Sequence, residues 1–237
     1  MTPHRIAFAL AALFTLSLSL VLADDQPKVE EGFTSLFNGK DLTGWVYGKA
    51  KGKDGTEHDN KMGKGYQVKD GVIYCTPKDA GNFYTEKEYA NFILRFEFKL
   101  TPGANNGIGI RAPLYGDSAY QGMEIQVLDN EDKRYKNPDG TSWLHPAQYH
   151  GSVYDVFPAK QGFLKPVGEW NTEEIKADGP HITVTLNGTV ITDADLSTVK
   201  DEAVLKKHPG LKNEKGHIGF LGHGDPVEFR NLRIKEL

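Results

Sequence analysis

Phe92-Ile93-Leu94-Arg95-Phe96-Glu97-Phe98-Lys99-Leu100 alternates apolar and charged residues from Leu94 onward. Successive side chains of a strand point to opposite faces, so Phe92, Leu94, Phe96, Phe98 and Leu100 share one face while Arg95, Glu97 and Lys99 share the other. The pattern predicts a strand with one buried and one solvated side, as in an antiparallel sheet packed on one face. Working outward, Tyr66–Cys75 divides at Lys69-Asp70-Gly71, a turn of the Asp-Gly hairpin type. Ile182–Leu186 and Thr189–Thr192 flank Asn187-Gly188, the strongest short hairpin signal. Strand patterns also cover Phe33–Phe37, Ile108–Arg111, Met123–Leu128, Trp170–Ala177, Gly216–Leu221 and Val227–Leu237. Helical pattern is confined to a turn or two at Asp201–Lys207. Many strands with no alternating βαβ order predict an all-β sandwich or jelly roll.

The 237 residues are 38% hydrophobic and 25% charged, enough apolar material for one sizeable core. His4 and Arg5 precede an apolar run from Ile6 to Leu22, and Val21-Leu22-Ala23 offers a small-residue cleavage site before Asp24-Asp25. Residues 1–23 therefore read as a secretory signal peptide, which places the protein in the periplasm or outside the cell. The run falls short of the roughly 20 apolar residues of a membrane span and contains Thr15, Ser17 and Ser19. An uncleaved anchor is the alternative; once the segment is removed no stable membrane insertion is expected. Residues 24–31 read as a flexible leader and 32–237 as one domain. The formal net charge of −4 becomes −5 when Arg5 leaves with the signal, which argues against a nucleic-acid partner. Cys75 is the only cysteine, so no internal disulfide and no thiolate zinc site can form. It reads as a small buried hydrophobe.

Two strands carry the candidate chemistry. In Glu124-Ile125-Gln126-Val127-Leu128-Asp129, Ile125 and Val127 take one face and Glu124 and Gln126 the other. In Asn106-Gly107-Ile108-Gly109-Ile110-Arg111, Ile108 and Ile110 point one way and Gly107, Gly109 and Arg111 the other. Glycines on a non-core face leave room for something to lie against the sheet, so the outer surface reads as a binding floor. Glu124 would act as base or nucleophile, with Arg111 and Gln126 donating hydrogen bonds. The rival account is a structural Arg111–Glu124 ion pair, worth about 0–1 kcal/mol when exposed.

Among His145, His150, His217 and His223, the last stands in the turn Gly222-His223-Gly224-Asp225-Pro226. It is either a proton shuttle or a surface turn residue, and His217 reads as structural. Gly48–Gly65 has few apolar residues and looks like a mobile flap. Asn130–Gly168 carries Trp143, His145, Tyr149, His150, Tyr154 and Phe157, a density that suggests an aromatic wall for stacking sugars. Asn106, Asp129, His150 and Tyr154 join Gln126 as expected substrate contacts. Asp129, Asn130, Asp132 and Asp139 could offer oxygens to a divalent cation, but their spacing matches no calcium loop, and solvated loop acids account for them. No cofactor is expected. The nucleophile elbow, phosphate-cradling glycine loop and HExxH are absent. Trp45 reads as core.

Leu36-Phe37-Asn38-Gly39-Lys40-Asp41-Leu42-Thr43-Gly44-Trp45, the Asn106–Arg111 and Gly122–Asp129 strands, Gly168-Glu169-Trp170-Asn171, Leu186-Asn187-Gly188 and the ending from Gly216 to Ile234 occur in one order. Together they make residues 32–237 resemble the 3-keto-disaccharide hydrolase domain family, formerly a domain of unknown function. The resemblance implies a concanavalin-like jelly roll of two antiparallel sheets with a ligand groove on its concave face. It also implies an exported enzyme acting on 3-keto glycosides, a small carbohydrate substrate, and roles for Arg111, Glu124, Gln126 and His223. A ketone at C3 acidifies the C2 proton and stands β to the glycosidic oxygen on C1. A base at C2 and a clamp on the enolate would therefore suffice, with Glu124 or His223 as base and Arg111 with Gln126 as clamp. Two rivals stay open. Laminarinase-type glucanases use Glu-x-Asp-x-(x)-Glu, of which this chain keeps Glu124 but has Gln126 at the central acid and Asp129 at the last. A non-catalytic carbohydrate-binding module would use the same floor without proton transfer.

Overall fold

The alternating stretch forms strand β9 (Phe92–Leu100), and its five apolar positions are buried while the four between them are half-exposed. The structure, a computed structural model, describes residues 29–237. The expected signal peptide over 1–23 and most of the leader over 24–31 lie outside the described residues. β9 sits in an eight-stranded antiparallel sheet with β14 (Thr189–Asp195), β13 (His181–Leu186), β12 (Trp170–Asp178), β16 (Val227–Glu236), β7 (Val72–Tyr74), β6 (Gln67–Lys69) and, beside β16, β1 (Thr34–Ser35). A second sheet has the order β11 (Met123–Leu128), β10 (Asn105–Ala112), β15 (Gly216–Leu221), β8 (Ala80–Tyr89) and β2 (Trp45–Tyr47), with β5 (Lys61–Met62) beside β8. The expected all-β jelly-roll sandwich is therefore what forms. Among the described residues, no helix is long and apolar enough to cross a membrane.

The core lies between the inner faces. Phe220 of β15 stacks on Phe229 of β16 with ring centroids 4.1 Å apart, joining the two sheets. Trp45 stacks on Phe220 at 5.2 Å and donates its indole N–H to the Leu36 carbonyl. Each such ring removed from water contributes about 1.5–3 kcal/mol. Asp70-Gly71 and Asn187-Gly188 turn their hairpins with positive φ at both positions, the geometry that suits the strand twist.

Both long loops are more ordered than their sequences imply. Gly48–Gly65 contains a hairpin of β3 (Lys49–Lys51) and β4 (Glu57–Asp59), as well as β5. Backbone pairing and the Lys49–Asp59 ion pair hold it rather than an apolar face, so no periodicity betrays it. In Asn130–Gly168, the stretch 149–154 adds itself to the free edge of β11. Gln126 N–H donates to the Ser152 carbonyl, Gly151 N–H to Gln126 and Tyr154 N–H to Glu124. An open strand edge invites pairing with other chains, and this segment closes it.

Candidate active site

The outer face of the six-stranded sheet is organised by glycines. Gly109 pairs with Glu124 on one side and with Gly219 on the other, and Gly219 pairs with Tyr84. One lateral row therefore runs Glu124, Gly109, Gly219, Tyr84. A Cβ added at Gly107 would lie 2.0 Å from Glu124 Oε1, and one at Gly219 2.3 Å from Tyr84 Cδ1. Gly48 closes on the same tyrosine, 2.8 Å from its Cε2. Room that the sequence reserves for a ligand is taken first by these two side chains, and Leu221 packs over Gly109 between them.

A cleft of about 1050 Å³ opens above this face. One wall is the β3–β4 hairpin, through Lys49, Lys51 and Glu57. The lining continues into the turn from Tyr115 to Asp117, which pairs with Lys49 of that hairpin, and the short helix α1 (Ser118–Gln121), with Leu221, Gly222 and His223 completing it. Glu124 is buried, and its Oε1 has no hydrogen-bond partner among the described residues. Loss of water and the nearby Asp117 charge push its carboxyl up to about 8. His223 opens to solvent within the cleft, yet the protein around it lowers its pKa by desolvation, against the pull of Asp225 and Asp117. At neutral pH the carboxyl is thus mostly protonated and the imidazole mostly neutral. A pair of groups driven apart in this way marks an acid and a base.

Of the other expected residues, none lines this cleft. Arg111 requires a correction. Strict alternation would aim it beside Glu124, but the register of β10 against β15 shifts between Gly109 and Ala112, and Arg111 has φ +48°. Such a bulge re-aims its side chain. The guanidinium donates to the Ala90 carbonyl (3.0 Å), Asn91 Oδ1 (3.1 Å) and the Asn213 carbonyl (3.3 Å) beside a separate cavity of about 380 Å³. Neither the Arg111–Glu124 ion pair nor the Arg111 clamp is formed. Gln126 is buried, and its Oε1 accepts from Val127 N–H. Asn106 donates to the Tyr66 hydroxyl at 3.0 Å, and Asp129 accepts from Gly103 N–H at 2.8 Å. His150 is sealed with its Nε2 3.0 Å from Glu173 Oε2, off the hydrogen-bonding direction. Tyr154 meets Glu124 only through its backbone, and its hydroxyl accepts from Gln148. The aromatic wall is likewise elsewhere: Trp143 donates to the Arg134 carbonyl and packs on Tyr135. Asp132 and Asp139 accept from nearby backbone N–H groups, and Asn130 accepts from His150 N–H. Among the described residues, no group of three or more His, Cys, Asp or Glu side chains is placed to hold a metal.

The cleft adds residues that sequence reasoning missed: Asn82, Asn60, Tyr115, Asp117 and Ser118, with Tyr84 buried behind Ser118 and bonded to it. For Tyr84 a signal exists. Phe83 and Tyr84 are adjacent in one strand, so one of the two aromatics must leave the core face. For Ser118 none exists, since Asp117-Ser118 looks like any helix start, with Asp117 accepting from Ala119 N–H.

The sequence matches the 3-keto-alpha-glucoside-1,2-lyase-like domain over residues 32–235. It is 28% identical over 249 aligned residues to a 3-keto-disaccharide hydrolase of Bacteroides thetaiotaomicron, covering 89% of this chain and 80% of that protein. Two crystal structures of candidate glycosyl hydrolases from Parabacteroides distasonis are each 28% identical. One superposes with a TM-score of 0.71 over 87% of this chain and 94% of its own, the other with 0.69 over 86% and 99%.

Proposed function

The chain belongs to the 3-keto-alpha-glucoside-1,2-lyase-like domain family, and from that premise we propose that it cleaves glycosides oxidised to a ketone at C3. Neutral His223 takes the C2 proton, and the C–H electron pair becomes the C2=C3 bond of an enolate whose charge rests on the C3 oxygen. The enolate collapses: the C3 carbonyl re-forms, a C1=C2 bond forms, and the C1–O bond breaks. The departing oxygen takes the proton of Glu124. Water then adds across C1=C2, with hydroxyl to C1 and hydrogen to C2, so the sum is hydrolysis. No electrons are gained or lost. Each proton transfer by a positioned group contributes about 10²–10⁴ in rate.

One observation carries the reading: the buried carboxyl of Glu124, whose Oε1 has no partner among the described residues, shares a cleft with His223, each pushed toward the charge state its role needs. The 3-keto-disaccharide hydrolase relative supports the substrate class. The apolar run from Ile6 to Leu22 supports export before the reaction. The test uses nitrophenyl and alkyl 3-keto glucosides of both anomers. Glu124→Gln should lose most turnover of the alkyl glycosides and far less of the nitrophenyl ones, whose leaving group needs no proton. His223→Gln should lose both. Equal losses of the two substrates in Glu124→Gln would remove the acid from this scheme.

Asp117 favours a second reading. It lines the cleft with Glu124 and its charge raises the Glu124 pKa, so the two could form the acid and carboxylate of an ordinary glycosidase. Turnover of the unoxidised glycosides at rates matching the 3-keto forms would decide for it.

A further inference from the structure

We propose that Ser118, backed by the buried Tyr84 phenol, donates the hydrogen bond that holds the enolate oxygen at C3. This rests on the elimination proposed above and supplies the group that receives its developing charge. No cation is held on the floor of the cleft among the described residues: Arg111 serves another cavity, Lys49 is tied to Asp59 at 2.5 Å, and Lys51 stands exposed on the hairpin wall. What the floor does offer is a hydroxyl pair. Tyr84 and Ser118 are both about 1% exposed, their hydroxyls are bonded to each other, and Ser118 still borders the cleft. A phenol is a better donor than an alcohol. Tyr84 therefore donates its O–H to Ser118 Oγ and leaves the serine O–H free for a third oxygen. Desolvation holds the Tyr84 pKa up to about 12, so it keeps that proton throughout.

The pair is also rigid. Gly48 and Gly219 close on the Tyr84 ring, and Ser118 begins α1 behind the Asp117 cap. Donors fixed before the charge develops cost nothing to reorganise. The placement suits the chemistry too. Glu124 and Ser118 line the same cleft as Leu221, which packs over Gly109 between Glu124 and Tyr84, as C2 stands between C1 and C3. A pyranose seated against Leu221 presents its leaving oxygen to Glu124 and its ketone to Ser118. No proton moves to the C3 oxygen. It gains charge as the C2–H pair enters the ring, is stabilised by Ser118, and returns that charge when the C1–O bond breaks. Ser118 is thus a catalytic residue and Tyr84 a positioning residue.

The experiment compares Ser118→Ala, Tyr84→Phe and the double variant on nitrophenyl 3-keto glucosides. It reads kcat, KM, melting temperature and C2–H exchange in D₂O. We expect Ser118→Ala to lower kcat and the exchange rate about 10²-fold with KM within a few-fold. Tyr84→Phe, which keeps the ring in its cradle, should cost less, and the double variant no more than Ser118→Ala alone. Ser118→Thr should keep activity, which guards against loss of fold as the cause. Wild-type kcat and exchange in Ser118→Ala, or losses that add in full, would overturn the assignment while leaving the elimination intact. Absence of C2–H exchange and of 3-keto turnover in the wild-type protein would overturn both.

Discussion

At the scale of single residues, Glu124 is set against its own ionisation. Its carboxyl is buried, lacks a partner on Oε1 among the described residues, and is pushed up to about 8 by loss of water and the Asp117 charge. We expect kcat/KM against pH to be bell-shaped, rising below the ordinary imidazole range as His223 deprotonates and falling near pH 8 as Glu124 does. In Glu124→Gln the alkaline fall should disappear. The same shift makes a statement about stability. The folded pKa is raised, so the contribution is fully present below about 4.5, the unfolded value, and is lost as pH climbs through 8. Glu124→Gln removes that loss. Melting temperatures of wild type and variant should agree near pH 4, and the variant should melt several degrees higher at pH 9. Gly107 belongs to the same argument. Its φ does not exclude alanine, but a methyl group there would strike the carboxylate. Gly107→Ala should fold normally and lose at least tenfold in kcat by displacing the acid.

At the scale of elements, the bulge in β10 separates two jobs that one strand performs. Gly107 and Gly109 serve the cleft. Two residues on, Arg111 leaves that face and ties the β8–β9 turn to the loop at Asn213, whose side chain in turn donates to the Arg111 carbonyl. Arg111→Ala should therefore cost stability, about 1–3 kcal/mol for the loss of charge-assisted hydrogen bonds to part-buried acceptors, seen as a lower melting temperature. The kcat of the survivor should stay within twofold of wild type. The alternation of β10 and β11 was legible in the sequence, and so was the outer face holding Glu124. The exit of Arg111 was not, because a bulge inserts one residue against a partner strand that the local pattern does not contain. The β3–β4 hairpin was hidden for a related reason. It is held by backbone pairing on a polar stretch, which leaves no hydrophobic period to read.

At the scale of the whole molecule, the segment that covers β11 is fastened to the opposite sheet. His150 comes from that segment and Glu173 from β12, and their side chains meet with almost no exposure, the His150 ring 5.1 Å from Phe98. The parity of Glu173 with Ile175 and Ala177 places it on the core face of its strand, an acid where a Leu would be ordinary. Removing one member strands the other in a low dielectric, which costs about 3–5 kcal/mol. Glu173→Ala should lower the unfolding free energy by that amount, read from denaturant titration, with kcat little changed. A His150→Leu, Glu173→Leu double variant should recover much of the loss. The crowding of aromatics in its loop makes His150 look like a substrate contact in the sequence. Their density reflects the packing of a cover over a strand edge, and only the folded chain tells such a cover from a sugar platform.

The sequence by itself determined the class of fold, the hairpins at Asp70-Gly71 and Asn187-Gly188, the burial of Trp45 and Cys75, and the face on which Glu124 would stand. All of these follow from period-two alternation and turn chemistry, which act between residues close in the chain. The tertiary structure decided the rest: that Arg111 turns away, that His223 joins Glu124, and that Tyr84 and Ser118 meet at the floor of one cleft. Those partners lie 34 and 99 positions apart in sequence, and only the stacking order of the strands brings them together.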